Sequence, residues 1–460
     1  MSELPDVFFL VIDSVRQDRM STYGHDRETS PTVDGLAEAA TVYTEAYTPA
    51  PWTLPSHCSV FTGRHPSAHG VTNGFADSTN TLPEDVRTLT EDLADEGYRT
   101  AGFSNNPWVG QLSGLDRGFE EFVEWDLEIT RSETAGIHTG GDRLYSPLHS
   151  LLGQAARQPV FLLKRRFFTA NLVDRARRWI DRAVAGPEPT FTFMNLMEAH
   201  SPYFPPKSAF RALGLDPPGP VEPRVLNTKL LAYVLGKRDL DTEERERVME
   251  YYDASLRYQD RKVGELLSTL RDRDALGDTL VVICADHGKT LGDYDRDETP
   301  PHYTRSINVN VPLVVKHPGQ SRGRREDRPF ELTALYDTVL RAADGARTAD
   351  DPHGGVGTGE VALVEDFLPH AGRTAPEEID RWRVLVDGEY RYVSDGRREF
   401  LFDVREGRDD RIEDPDPSLL ASYRTAMEER TDALGDPSEA SDTRELDGAV
   451  RSQLHDLGYM

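Results

Sequence analysis

The chain predicts an α/β fold: a large mixed, mostly parallel sheet flanked by helices, with a small antiparallel subdomain near the C-terminus. Three observations predict it. Val7-Phe8-Phe9-Leu10-Val11-Ile12 and Thr279-Leu280-Val281-Val282-Ile283-Cys284-Ala285 are unbroken apolar runs of strand length, rich in β-branched residues, the pattern of strands buried on both faces. Between them helical spacings alternate with short apolar runs, as a parallel sheet covered on both sides requires. From Trp382 onward, short apolar strands are joined by Asp387-Gly388 and Asp395-Gly396, a hairpin signal.

Asp13-Ser14 closes the first run, so that strand carries a carboxylate at its carboxyl end. Residues 32–40 read as a helix and Thr41 to Tyr47 as a strand leading into Thr53-Leu54-Pro55-Ser56-His57-Cys58-Ser59-Val60-Phe61-Thr62-Gly63. Pro55 marks a helix start there, which sets Thr53 where backbone amides and the helix dipole favour an anion. Pro83 to Glu96 has Val86, Leu89 and Leu93 at helical spacing and stops at Gly97; Tyr98 to Ser104 is then a strand. From Phe122 to Ala170 the pattern loosens around Gly140-Gly141 and Pro147. That insertion either shapes a substrate pocket or is a surface excursion, and Lys164-Arg165-Arg166 within it reads first as a solvated patch and second as a contact for a phosphate or lipid headgroup.

Asn171 to Val184 resumes as a helix, followed by a strand from Phe191 to Met197 and a turn carrying His200. Six prolines between Pro202 and Pro220 make the next stretch a loop region. Asp241 to Arg273 is one long helix whose stripe of Val248, Leu256, Val263, Leu266, Leu267 and Leu270 faces the sheet. The second apolar run ends in Asp286-His287-Gly288, and a polar loop from Gly292 to Pro301 leads to His302. Val311 to Lys316 is another strand, and a helix from Pro329 to Ala343 closes the first domain. The division expected is a catalytic domain over 1–345, a small sheet and helix subdomain over 346–430 and an acidic tail over 431–460.

A chain of 460 residues can bury ample core. Its net charge is −27, and its basic residues are seven Lys against 46 Arg. An acid-rich, Lys-poor surface suits molar salt, where the Debye length shrinks to about 3 Å and self-repulsion is screened; the expectation is a halophilic protein, the plainer reading an acidic mesophilic one. The same charge argues against nucleic acid as a partner, because a phosphate backbone demands a basic footprint. Two cysteines, Cys58 and Cys284, give no disulfide framework. No basic n-region precedes the first apolar run, and no apolar stretch approaches the roughly 20 residues of a membrane helix. The expected location is the cytoplasm; oligomeric state is open.

Two buried parallel strands that each end in a carboxylate match the way open α/β sheets bind ligands at their carboxyl edge. A metal ion is the simplest way to satisfy both carboxylates. The residues around them resemble the sulfatase family of the alkaline-phosphatase superfamily: Thr53, Pro55, Ser56 and Thr62-Gly63 keep the register of its signature. Asp13-Ser14-Val15-Arg16, Tyr23-Gly24, Ser30-Pro31-Thr32, His65-Pro66, Tyr252-Asp253-Ala254-Ser255-Leu256, Asp260, Asp286-His287-Gly288, Val311-Pro312-Leu313 and Phe400-Leu401-Phe402-Asp403 follow in family order. Sulfatases convert a Cys or Ser at the first signature position to formylglycine. Thr53 stands there in this chain and cannot give that aldehyde, and His57 replaces the Arg of the signature.

A Thr at this position resembles the phosphoethanolamine and phosphoglycerol transferases of the superfamily. That resemblance implies Asp13, Thr53, Asp286 and His287 as ligands of one divalent ion, Ca, Mg, Mn or Zn, with His200 and His302 facing the substrate. Ser14 in place of a second Asp, and Leu196 four residues before His200, argue against a second metal. The reaction implied is hydrolysis of a phosphate or sulfate ester through a covalent intermediate on Thr53, on a small-molecule, glycan or lipid-headgroup ester. Transfer of a phosphoalcohol group to a glycan or lipid acceptor, and a binding protein without turnover, are the alternatives. Each residue also has a plainer reading: helix caps for Asp13 and Asp286, an N-cap hydroxyl for Thr53, a turn anchor for His200, a loop residue for His302. His57, His65 and His69 are assigned to packing and hydrogen bonding, and Lys289 to a supporting charge that could meet a substrate oxyanion.

Overall fold

In a computed structural model of the protein the first apolar run forms β1 (Val7–Ile12), every residue of it buried, in the middle of an eight-stranded sheet. The structure describes residues 4–72, 78–124, 169–234, 236–293, 304–344, 359–367, 381–432, 434 and 442–446. Beside β1 the chain contributes β2 (Thr41–Tyr43), β3 (Ala46–Tyr47), β4 (Ser78–Thr81), β5 (Arg99–Ser104), β6 (Glu121–Val123), β7 (Thr190–Leu196), β8 (Leu280–Cys284), β9 (Leu313–Lys316), β10 (Arg324–Glu326) and β11 (Phe330–Glu331). The main sheet runs β10-β2-β9-β8-β1-β7-β5-β6. Within it β9 pairs antiparallel with β8 and β2, and the remaining pairs are parallel, so the expected mixed, mostly parallel sheet is the one observed.

The carboxyl ends of β1, β8, β7 and β5 lie side by side. Asp13, Asp286, the His200 turn and Asn105-Asn106 therefore emerge along one edge. Helix Thr53–Thr62 is buried at all ten positions. Phe61 lies against Phe9 and Phe193 of the sheet, with ring centroids 6.4 and 4.8 Å away, which fixes the helix's apolar side. Helix Thr242–Arg271 covers the sheet and opens with a reciprocal capping box between Asp241 and Glu244.

Several boundaries differ from the sequence reading. The strand expected from Thr41 to Tyr47 splits into β2 and β3. The Thr44 carbonyl is taken by the side chains of Gln17 and Asn310, which lifts the chain out of the main sheet. The helix expected from Pro329 begins at Leu335 after a short 3-10 turn, because Phe330–Glu331 spend their backbone bonds on β3. The helix expected from Pro83 begins at Leu89, where Thr88 and Glu91 cap each other. The proline-rich stretch contains a helix, Lys207–Ala212, and is followed by another, Glu222–Val234, that the spacing did not signal. Most of the loose segment from Phe122 to Ala170, including Lys164-Arg165-Arg166, lies outside the described residues.

The C-terminal subdomain is a five-stranded antiparallel sheet, β12 (Ala362–Asp366), β13 (Trp382–Val386), β14 (Tyr390–Ser394), β15 (Glu399–Asp403) and β16 (Asp410–Arg411), with the expected Asp-Gly turns between β13, β14 and β15. Helix Pro417–Thr431 covers one face through Tyr423 and Met427, while the other meets Tyr47 and Val309 of the first domain. Within the region expected as a tail, β17 (Asp442–Glu445) pairs with β4 and Leu446 is buried.

Candidate active site

Ser14, at the end of β1, adopts a left-handed backbone (φ 59°), a conformation uncommon for any residue but glycine and one that clusters at functional sites. The turn aims its N–H at Asp286 Oδ1 (2.9 Å) and its hydroxyl at Asp13 Oδ1 (2.8 Å). Asn106, beyond β5, donates its amide to Asp13 Oδ2 at 2.6 Å. Asp286 Oδ1 also accepts the backbone N–H of His287 at 2.9 Å. The His287 Nδ1 proton goes to the Gly288 carbonyl (2.6 Å), so the lone pair sits on Nε2. Gly288 is where the chain crowds: a Cβ there would lie 1.8 Å from the Ile307 carbonyl oxygen, and its N–H bonds the Asn308 carbonyl at 2.7 Å.

Thr53 is the first residue of its helix, fully buried, with Oγ1 3.3 Å from His287 Nε2. Ser56 holds the start of that helix against the Asp286 carbonyl at 2.7 Å, and Thr48 bonds the same carbonyl at 2.5 Å. His57 Nδ1 donates to the Thr53 carbonyl at 2.9 Å and lies 3.6 Å from Asp286 Oδ2; burial lowers its pKa. His57 thus stands beside the cluster rather than in packing remote from it. His69 bonds Ser59 and His65 bonds Glu331, the structural roles expected of them.

Ligand atoms of Asp13, Asp286 and His287 all lie within 4.8 Å of one another. Burial, then repulsion from Asp286, pushes the Asp13 carboxyl up to about 6. Asp286 Oδ2 is buried without a hydrogen-bond partner, 3.5 Å from His287 Nε2. Two buried carboxylates this close are costly unless a cation neutralises them, and an unbonded buried carboxylate oxygen is costly on its own. Oxygen and imidazole donors in this number fit a divalent ion of the Mg, Mn, Ca or Zn kind.

The turn that carries His200 is assembled differently. His200, buried in the turn after β7, donates Nδ1–H to the Ser201 carbonyl at 2.6 Å, leaving Nε2 as its second nitrogen. Lys289, two residues past His287, donates to Ser201 Oγ at 2.9 Å, so the two loops meet at Ser201. His302 lies outside the described residues. The sequence reading brought Asp13, Thr53, Asp286 and His287 to one place, and the structure does the same. It missed Asn106, and it read Ser14 only as the replacement for a second Asp, not as the donor to Asp13 and Asp286; the signal for Asn106 was its position at the carboxyl end of the strand Tyr98 to Ser104, on the same edge as the two Asp residues. Both cysteines are buried and free, and no described helix is long and apolar enough to cross a membrane.

The sulfatase family model matches residues 5–346. Among similar proteins, a sulfatase of Formosa agariphila is 23% identical over 432 residues, covering 86% of this chain and 80% of its own. A choline-sulfatase of Rhizobium meliloti is 24% identical over 340 residues, 69% of this chain and 64% of its own. In three dimensions the phosphonate monoester hydrolase of Agrobacterium radiobacter superposes with a TM-score of 0.69 at 19% identity, covering 95% of this chain and 97% of its own. That likeness is one of fold, the alkaline-phosphatase-like sheet.

Proposed function

The chain belongs to the sulfatase family, a family of ester hydrolases, and from that premise we propose that it is a metal-dependent hydrolase of phosphate, phosphonate or sulfate esters with Thr53 as nucleophile. The observation that carries this reading is the Thr53 hydroxyl, buried at a helix N-terminus 3.3 Å from His287 Nε2 and beside the Asp13-Asp286 pair. Asp13, Asp286 and His287 would hold one divalent ion with Thr53 beside it. Such an ion neutralises charge and lowers the pKa of an oxygen it touches, which a Thr hydroxyl needs near neutral pH.

The chain's own residues supply the rest. Thr53 Oγ1 gives up its hydroxyl proton to water and forms the bond to phosphorus or sulfur as the ester oxygen leaves, where backbone amides at a helix start would stabilise the developing negative charge. Asn106 and Ser14 hold Asp13, and the Gly288 carbonyl keeps the His287 lone pair on Nε2. His200 Nε2 holds the proton that the departing alcohol requires, a role worth about 10² to 10⁴ in rate. His302 shares the substrate side in this reading. Water then releases Thr53; an acceptor alcohol in its place would make the protein a transferase. The net charge of −27 and the preference for Arg over Lys favour a salt-rich cytoplasm as its setting.

Metal analysis with a panel of aryl phosphate mono- and diesters, phosphonate monoesters and aryl sulfates in molar salt tests the reading. Wild type should bind one divalent ion per chain, turn over at least one class, and carry an acid-trapped ester on Thr53 by mass spectrometry; Thr53→Ala should abolish turnover and ester together. Breakdown of that ester by alcohols faster than by water would favour the transferase. A protein that binds no metal and turns over none of the panel is a binding protein.

A further inference from the structure

Among the buried polar side chains of helix Thr242–Arg271, Tyr252 and Gln259, seven residues apart, reach the loops of the site, and the chemistry above has no use for either. Seven residues are close to two full turns, so Tyr252 and Gln259 share a face, about 10.5 Å apart along the axis. Each bonds two backbone groups of one loop. The Tyr252 hydroxyl donates to the Ser14 carbonyl and accepts from Arg16 N–H, both at 2.8 Å, spanning the turn that follows Asp13. Gln259 Nε2 donates to the Leu196 carbonyl at 3.2 Å and its Oε1 accepts Ala199 N–H at 3.1 Å, spanning the turn that presents His200.

The two clamped segments touch through the backbone, because the Leu196 carbonyl that Gln259 holds also takes Asp13 N–H at 2.9 Å. Gln259 sits among the buried Leu256, Val263 and Leu266 of the same helix, where an apolar residue would satisfy packing. A buried amide in such surroundings is favourable only through the bonds it makes, and those bonds fall on the residues next to His200. The turn has other anchors, Asn105 on Met197 N–H and Asn227 on both backbone groups of Tyr203, so loss of Gln259 loosens the turn without releasing it.

We propose that Gln259 is a positioning residue for His200 and Tyr252 the matching one for Asp13, so that one helix sets the two sides of the site separately. This rests on the roles assigned above to His200 and Asp13. The test uses the full chain with Gln259→Leu, Gln259→Glu, Tyr252→Phe and His200→Ala, read three ways. Histidine ring NMR signals of His200, assigned by their loss in His200→Ala, should shift in Gln259→Leu, return part of the way in Gln259→Glu, which keeps the acceptor for Ala199, and stay in place in Tyr252→Phe. Affinity for Mg²⁺ by calorimetry should fall about 10-fold in Tyr252→Phe and hold in Gln259→Leu. Turnover by Gln259→Leu should drop about 10-fold on esters with poor leaving groups and little on nitrophenyl esters, a milder copy of His200→Ala.

His200 signals unmoved in both Gln259 variants, or a Gln259→Leu loss of Mg²⁺ affinity equal to that of Tyr252→Phe, would overturn the proposal. Shifted His200 signals in a protein whose His200→Ala variant shows no leaving-group dependence would uphold the positioning and remove His200 as the proton donor.

Discussion

Asp13 and Asp286 leave adjacent parallel strands, and their carboxylates are oriented by short bonds from Ser14, Asn106 and the backbone of His287. His200 and Lys289 sit on turns that meet at Ser201, and the His200 turn is held by side chains reaching in from a helix and from the loop after β5. The first arrangement is as rigid as the sheet itself. The second depends on a few replaceable side chains, which is how a fold keeps its chemistry and changes its substrate. Substitutions on the proposed metal side should therefore be severe, and those on the proposed substrate side graded.

The largest effect is expected from Asp286→Asn. The amide oxygen can still accept from Ser14 and His287, but the charge facing Asp13 and the unbonded oxygen are gone. Mg²⁺ binding by calorimetry should vanish and turnover fall by about 10⁴-fold or more. Removing the like charge should at the same time raise the melting temperature of the metal-free protein, the trade of stability for function that such sites carry. Retained Mg²⁺ binding in this variant would show that the two carboxylates do not act as a pair.

Asn106→Ala comes next. Asp13 Oδ2 would lose its 2.6 Å donor while every proposed ligand stays, so Mg²⁺ affinity should weaken by about 10- to 100-fold, the usual cost of losing a group that orients a ligand. On the substrate side, Lys289→Met removes a cation held at Ser201. Its expected signature is a KM raised about 10-fold with kcat nearly unchanged, measured on anionic aryl esters, because a fixed charge that meets the substrate in ground and transition states alike contributes uniform binding. A fall in kcat at constant KM would instead give Lys289 a part in the chemical step.

The same contrast explains how much the sequence disclosed. Asp13 and Asp286-His287 were legible because they close unbroken apolar runs, and a strand buried on both faces has one register and one exit. Thr53 was legible because proline and the family register fix a helix start. Asn106 was not singled out: its strand, Arg99–Ser104, was legible, but an uncharged amide two residues past that end does not call for a cation as a carboxylate does. The pairing of Asp442–Glu445 with β4 was hidden for another reason: four polar residues form that strand, and its partner is more than 350 positions away. Helix Glu222–Val234 follows a run of prolines and has too little apolar periodicity to announce itself.

The smallest effect on activity, and a measurable one on stability, is expected behind the metal side. Asp260, on the long helix next to Gln259, accepts backbone N–H bonds from Thr32 at 3.0 Å and Val33 at 3.1 Å and thereby caps helix Pro31–Ala37 from outside. Burial pushes its carboxyl up to about 6 against those bonds and against Arg257, 3.3 Å away. A carboxyl raised in the folded state binds its proton more tightly there than in the unfolded chain. Its contribution to stability is therefore fully present below about pH 4 and is lost as pH rises through about 6, up to about 3 kcal/mol in all. In Asp260→Asn the amide oxygen can still accept from Thr32 and Val33 and nothing titrates there. Denaturant unfolding from pH 4 to 7 should find the variant declining less than wild type, by about 3 kcal/mol over the window, because Asp13, pushed up to about 6, still titrates in both, and the variant the more stable of the two at pH 7, with kcat unchanged. An Asp260→Asn protein less stable than wild type at pH 7 would mean that the charge on the helix N-terminus outweighs the cost of burying it, and the ordering of those two effects would be reversed.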